Sequence, residues 1–471
     1  MSWNSDLSSY EDDLPVKTSE IHNVLDDLDW PSATLAALEA ELNDSSVPNT
    51  QDLLLCDAVS LDLLRAHQLD SGSIRSKLPL GKQWRRLYTD SILLNALDNL
   101  AAHIGREEPR GPEGVAGPKP DLTKWDHLIG LLDLVIILAG APGEGRLELV
   151  HSCIAHIQHN CLPLTLSEIQ PSPVKSGKSS SAPETTLLPS PVPKVDPPPS
   201  FSAFPSVAQR PFILPGFAKD WPAAELWKSK SYLLACSGRG RVVPIERGGD
   251  YRKADWGVDV MSWDSFLTAI GWGEGSIDPT KDTEKLYLAQ HSLFTQFPKL
   301  RADILVPDYV YTTPSAQSGA YSGSPGNDEQ LVINAWCGGQ GANSPAHTDP
   351  YYNIYVQVVG CKQIWLAPPE ATPGMYAFSV GHNSNLADQK DNRDTDQDPK
   401  REGMLGNTSS VDVFALSTPE SNSNSYPLFV EAALRLAQST TLGPGDVLVI
   451  PPGWWHAMRG VGGSFSVSFW F

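Results

Sequence analysis

The sequence predicts an α+β protein, with a helical N-terminal domain followed by a β-rich C-terminal domain. Three observations carry this expectation. Apolar residues recur at helical spacing through the first third of the chain, for example Trp84, Leu87, Ile92, Leu94, Ala96 and Leu97 in one broad stripe. Composition then breaks sharply, with nine prolines among serines and lysines between residues 166 and 200. Finally, short β-branched and aromatic runs lead to Ser464-Phe-Ser-Val-Ser-Phe-Trp-Phe471, which alternates strictly.

Taken in order, residues 1–165 form the expected helical domain with an acidic N-terminal tail. Runs at 21–28 and 35–42 suit amphipathic helices. Residues 52–69, 81–103, 124–139 and 145–159 carry further helical spacing, and the most apolar stretch, 128–139, reads as a buried helix interrupted by Asp133. Residues 166–205 form the expected Pro/Ser-rich disordered linker, because such a composition cannot bury a core. Residues 206–471 form the second domain. Its lead-in contains a strand around Arg241-Val-Val-Pro-Ile-Glu246 and a short helix in 256–266. A polar insert near 377–405, including Asp388-Gln-Lys-Asp-Asn-Arg-Asp-Thr-Asp-Gln-Asp398, reads as a disordered surface loop.

Composition narrows the function classes. A formal net charge of -20 argues against direct nucleic-acid binding, which draws on clustered lysine and arginine. Basic protein substrates are favoured instead. No basic n-region with an apolar core opens the chain, and no segment is apolar over the length of a bilayer, so neither a signal peptide nor a membrane span is expected. Six scattered cysteines show no framework spacing and fit free thiols in a reducing compartment. The expected location is intracellular, in nucleus or cytoplasm.

The chemistry is concentrated in two motifs. Ser344-Pro-Ala-His347-Thr-Asp349-Pro350 supplies His347 and Asp349, and Pro451-Pro-Gly-Trp-Trp-His456 supplies His456. Residues two apart on a strand share a face, so His347 and Asp349 can meet one metal while His456 arrives from another strand. Two histidines and a carboxylate on one face of an octahedron leave three positions open, as a non-haem Fe(II) oxygenase needs. A structural zinc site would be closed by four ligands. The competing reading is a loop histidine bonded to Asp349 and a His456 packed between tryptophans.

Downstream, Asn353-Ile-Tyr-Val-Gln-Val-Val359, Gly360-Cys361 and Lys362-Gln-Ile-Trp-Leu-Ala-Pro-Pro369 read as a strand, a tight turn and a returning strand. Lys362 either meets an anionic partner in a buried setting or reaches out to water from a hairpin end. On the last strand Ser464, Ser466, Ser468 and Trp470 share one face, suited either to lining a cavity or to a solvated edge.

Four blocks together resemble the JmjC family: Leu286-Tyr-Leu-Ala-Gln-His291, Ile333-Asn-Ala-Trp336, the run from His347 through Lys362, and the PPGWWH and SFSVSFWF ending. The resemblance implies a double-stranded β-helix (cupin) fold and dependence on Fe(II), 2-oxoglutarate and O2. It implies that His347, Asp349 and His456 are iron ligands. It implies further that Lys362 pairs with the distal carboxylate of 2-oxoglutarate, that Tyr287, Ser344 and Asn353 add hydrogen bonds, and that Gln290, Trp336 and Trp470 flank a substrate pocket. The implied activity is hydroxylation of a protein side chain, arginine first, on a histone, ribosomal or other basic protein. Lysine demethylation by the same chemistry is the alternative. Two further readings are a silent JmjC-like scaffold and a manganese or zinc cupin isomerase. The insert is longer than the family pattern leads one to expect. Oligomeric state is not addressed by the sequence.

Overall fold

A computed structural model describes residues 79–104, 122–162, 189–252, 256–272, 285–312, 321, 323–327, 329–378, 406–415 and 425–471. The expected helices at 21–28, 35–42 and 52–69, the acidic run 388–398 and most of the expected linker lie outside these residues.

Among the described residues, the N-terminal unit comprises α1 (Pro79–Ile104), α2 (Leu122–Leu134), which widens into a π-helical turn at Val135–Ala139, and α3 (Arg146–Asn160). They pack around Tyr88, Ile92, Ile129, Leu132, Val150 and Ile157. The stripe on α1 is rotated from its expected position: Ile92 and Ala96 are fully buried, but Leu94 and Leu97 are only half-buried while Tyr88, Leu93 and Leu100 go inside. The reason is that α1 is covered on more than one side. Even Asp90 is buried, and it accepts a hydrogen bond from Arg146 Nε at 2.9 Å. The apolar run in α2 is the buried helix its composition suggests.

The C-terminal unit is built from two sheets. Along the chain run β1 (Ser190–Pro191), β2 (Phe212–Leu214), β3 (Val242–Arg247), β4 (Gly257–Ser262), β5 (Tyr287–His291), β6 (Val332–Gly338) and β7 (Asn343–His347). They are followed by β8 (Asn353–Val359), β9 (Lys362–Ala367), β10 (Gln438–Leu442), β11 (Val447–Ile450), β12 (Trp455–Gly460) and β13 (Ser464–Trp470). The small sheet has the order β1-β10-β9-β12-β7 and the large one β2-β11-β8-β13-β6-β5-β3-β4. From β6 to β9, and again from β10 to β13, successive strands alternate between the sheets, as in a double-stranded β-helix. Thus β8 and β9 do not pair with each other: the turn at Gly360 carries the chain from the large sheet to the small one. Gly360 has φ of 75°, and a Cβ there would run into the Gly463 carbonyl, so the turn requires glycine.

Alternation along the strands sorts the core. Phe465, Val467 and Phe469 on β13 pack outward under Trp221, Trp227 and Trp272. Inward residues, among them Tyr287, Trp336, Tyr355, Ile364 and Met458, fill the space between the sheets. The serine face is therefore interior and not a solvated edge, because β13 pairs with both β6 and β8 and its three serines are fully buried.

Two expectations are corrected. Residues 189–205 do not behave as linker: Ser190–Pro191 adds a parallel strand to β10, Lys194 bridges Ile213, and Phe204 is fully buried against Phe212 and Tyr309. Proline there fits because an edge strand needs few donors. Within 256–266, Gly257–Ser262 is strand β4 and the helix begins only at Trp263, after Ser262 Oγ accepts the Ser265 N–H.

The ends of the polar insert are fixed beside β7. Ala377 bridges Ser409, Thr408 bridges His347, and Ser409 N–H donates to Ala346 O at 2.8 Å.

Phe469 is fully buried on a central strand. Phe469→Ala is expected to cost about 3–5 kcal/mol, measured as a lower urea midpoint at unchanged slope; an unshifted midpoint would contradict the packing described.

Candidate metal centre and cosubstrate cavity

The metal-ligand set is assembled by strand register. On the antiparallel pair β7 and β12, His347 stands directly opposite His456, and their rings lie 4.3 Å apart between centroids. Ser344, three residues before His347, stands opposite Met458, so β7 holds one more residue than β12 over this stretch. That bulge lets Ser344 and His347 both face the interior, which regular alternation would forbid. Asp349 is not on the strand, as the sequence suggests; β7 ends at His347 and Asp349 follows in the connecting loop. There its carbonyl accepts the Gly453 N–H at 2.8 Å, which ties it to the turn preceding His456.

Among the described residues, His347, Asp349 and His456 alone form a cluster of three possible ligands, with one donor atom of each within 4.8 Å of the others. Asp349 Oδ2 is 3.4 Å from His456 Nε2, and Oδ1 is 3.9 Å from His347 Nε2. Each ring is oriented from behind: His347 Nδ1–H donates to Pro345 O at 2.8 Å and His456 Nδ1–H to Trp454 O at 3.0 Å. Both Nε2 atoms are thereby left to face the carboxylate, the arrangement typical of ligating histidines. Burial and the neighbouring His456 lower the His347 pKa to about 4. Burial opposes charge on His456 too, but the Asp349 carboxylate prevails and raises its pKa. Burial would push Asp349 up, yet the two histidines hold it below the ordinary carboxylate range. Three nitrogen and oxygen donors on one side, without thiolates, suit a divalent first-row metal with open positions. The chemistry of the donor set therefore fits iron.

Deeper along the same wall, Lys362 stands opposite Gly460, four residues along β9 from Leu366, the partner of His456. That is roughly 13 Å at strand rise. Its ammonium is buried and donates to Tyr355 Oη at 2.8 Å and Tyr287 Oη at 3.1 Å. No carboxylate among the described residues pairs with it, and burial lowers its pKa to about 7. An ammonium in such a place is costly unless an anion accompanies it. Tyr287 is held far above the ordinary phenol range by burial and by Tyr355, while a hydrogen bond with Ser344 opposes the shift. The interior between the sheets thus carries a candidate metal-ligand set at one end and a lone ammonium at the other, donors suited to a small dicarboxylate.

The remaining sequence candidates divide. Asn353 is buried on the same face as Tyr355, with Oδ1 lacking a partner, and Trp470, its register neighbour on β13, has an unpartnered Nε1. Trp336 faces the interior beside Tyr287, with Nε1–H donating to Ser468 Oγ at 2.8 Å. Trp470 packs against Tyr351. Gln290 is not brought into this cluster: it is exposed at a bulge in β5, with φ of 48°. Sequence reasoning missed Tyr355 and Asn334. Both were signalled by period two, being two residues from Asn353 and Trp336 on the same faces, and Asn334 Nδ2 is also buried without a partner.

Residues 199–471 match the cupin-like domain family. The chain belongs to that family. Over 265 residues this JmjC cupin-like chain is 35% identical to Jumonji C domain-containing protein 5 of Drosophila melanogaster, covering 56% of this chain and 55% of that protein. It is 34% identical to Lysine-specific demethylase 8 of Xenopus tropicalis, covering 56% and 48% respectively. Against Lysine-specific demethylase JMJ30 of Arabidopsis thaliana it is 33% identical over 262 residues, covering 55% and 49%. The chain spans about half the length of these relatives. The matched region is the two-sheet unit, and no helix among the described residues is long and apolar enough to cross a membrane.

Asp349→Ala is expected to weaken Mn(II) or Fe(II) binding by more than the roughly 10–100-fold typical of losing an outer-shell partner; calorimetry showing unchanged affinity would refute the ligand set. Lys362 holds its proton below pH about 7 and loses it above, and an anion binds the protonated form. Affinity of the metal-loaded protein for 2-oxoglutarate should therefore weaken as pH rises from 6 to 8. Lys362→Met should bind weakly with a flat profile, and a steep profile in that variant would assign the titration elsewhere.

Proposed function

We propose that this chain is an Fe(II)- and 2-oxoglutarate-dependent dioxygenase that hydroxylates a protein side chain, with arginine the preferred residue. The observation that carries the reading is the buried Lys362 ammonium, held by two phenols and no carboxylate, in the same interior that holds the His-Asp-His cluster. A scaffold gains nothing from a buried unpaired ammonium. A metal-only isomerase has no use for it either.

In this reading His347, Asp349 and His456 hold the iron, and Lys362, Tyr287, Ser344 and Asn353 receive 2-oxoglutarate. Bound iron and cosubstrate supply the oxidising power, with decarboxylation to succinate accompanying oxidation of a substrate C–H bond. The protein supplies position and electrostatics. The backbone carbonyls of Pro345 and Trp454 fix the imidazoles. Lys362 neutralises the distal carboxylate, and Tyr287 passes the Lys362 contact on to Ser344.

A cationic substrate is supported by Glu246. This half-buried carboxylate on β3 stands in register with Tyr287, accepts the Trp256 Nε1–H at 3.1 Å, and is pushed up by burial. The Glu246 charge is felt by both the Tyr287 and the Tyr251 phenols, which supports placing it beside the interior that Tyr287 enters. No cation among the described residues is paired with it, and a guanidinium would fill that role bidentately. Basic nuclear or cytoplasmic proteins, histone or ribosomal, are the proposed substrates. Lysine demethylation is the second reading, favoured by the names of two of the relatives.

The deciding experiment incubates the iron-loaded protein, 2-oxoglutarate and O2 with paired peptides bearing arginine or methyl-lysine. Gain of one oxygen on the arginine peptide is expected, with Glu246→Gln raising its KM. Loss of a methyl group from the lysine peptide, with no change in the arginine peptide, would replace hydroxylation by demethylation.

A further inference from the structure

We infer that Asp133, on the helical unit, is a positioning residue for the substrate wall of the β-domain: its carboxylate fixes the start of β3, the strand whose other end carries Glu246. The inference rests on the reading of Glu246 as the residue facing a cationic substrate.

Asp133 is fully buried at the end of α2. Its oxygens take Arg241 Nη2 at 2.6 Å and Arg241 Nε at 2.9 and 3.0 Å, and Oδ2 also accepts the Val242 N–H at 2.8 Å. Arg241 continues inward: Nη2 donates to Gln296 O at 2.8 Å and its guanidinium lies over the Phe297 ring. Gln296, also fully buried, returns to the same strand, with Nε2 donating to Val242 O at 2.7 Å. Its Oε1 accepts from His291 Nε2 at 2.7 Å, on the last residue of β5. Both backbone groups of Val242 are thus held by side chains, one from each unit.

This clamp matters because β3 is weakly joined to the rest of the sheet. On the β5 side the two strands share a single register pair, Glu246 with Tyr287, and on the other side lies only the edge strand β4. β3 therefore reaches the inner strands through one ladder pair, while its pairs with β4 tie it only to the edge strand. The Asp133 and Gln296 contacts replace the missing pairs at Val242, and Glu246 follows four residues later. Lys362, His347 and His456 lie on the small sheet, and Asp349 in the loop after β7, all away from this join. Loss of Asp133 should therefore affect substrate fit and spare the cosubstrate.

The test uses the full chain, assayed below its melting transition, with Asp133→Ala, Asp133→Asn and the control Asp126→Asn, which removes a partly exposed contact with Arg239 at 3.5 Å. Asp133→Ala is expected to raise KM for an arginine peptide by about tenfold or more, while KM for 2-oxoglutarate stays within about twofold. Asp133→Asn, which keeps an acceptor for Val242, should fall between, and Asp126→Asn should match wild type. Amide exchange gives a readout independent of turnover: residues 242–247 should exchange faster in Asp133→Ala, with 353–367 unchanged. Equal movement of both KM values, or wild-type protection at 242–247, overturns the inference. Should Asp133→Ala fail to fold, the paired replacement Asp133→Leu with Arg241→Met removes both buried charges together. Faster exchange at 242–247 is expected there too, and wild-type protection overturns the inference. Absence of turnover in the wild type itself would remove the oxygenase reading, and exchange at 242–247 would still decide the role of Asp133.

Discussion

The pairing of β7 with β12 is the constraint on which the site depends. It puts His347 and His456 face to face, and the extra residue in β7 turns Ser344 to the same side. Neither histidine needs a special loop to find the other; the backbone ladder does it, and the carbonyls two residues upstream orient the rings. Asp349 arrives differently, from a loop pinned to the turn before His456. The candidate metal centre thus takes its rigidity from a sheet and its third candidate ligand from a bonded loop. Such division suits a site that must keep three positions open on one side.

Much of this was legible in the residues. The alternation of Ser464–Trp470 gave the right two faces, and the turn at Gly360 was marked by its glycine. Local pattern could not say whether β13 was an edge or a centre, because that is decided by which distant strands come to lie beside it. The same limit hid the bulge in β7. Its signature is a mismatch between two strands about a hundred residues apart, and neither strand shows it alone. Tyr355 escaped for another reason: in a run of apolar β-formers a tyrosine reads as core, and only the buried Lys362 reveals what its hydroxyl is for.

Composition misled at one boundary. Proline and serine through residue 205 read as linker, yet proline is also what an added edge strand tolerates, and residues 189–205 join the β-domain. The helical unit is likewise no loosely tethered appendage. Besides the Asp133 and Arg241 pair, Gln158 Nε2 donates to Ser237 O and Arg239 O, at 3.1 and 2.7 Å. Those contacts converge on the turn that leads into β3.

The bridges from Ala377 to Ser409 and from Thr408 to His347 uncouple the metal-binding strand from the stretch they enclose. They close the excursion between them at its base, so the two ends are neighbours whatever lies between. Closing a longer loop adds little, roughly 0.6 kcal/mol for each doubling of length. The length or charge of this stretch can then change without moving the register of His347, which separates the surface chemistry of the loop from the geometry of the candidate ligands.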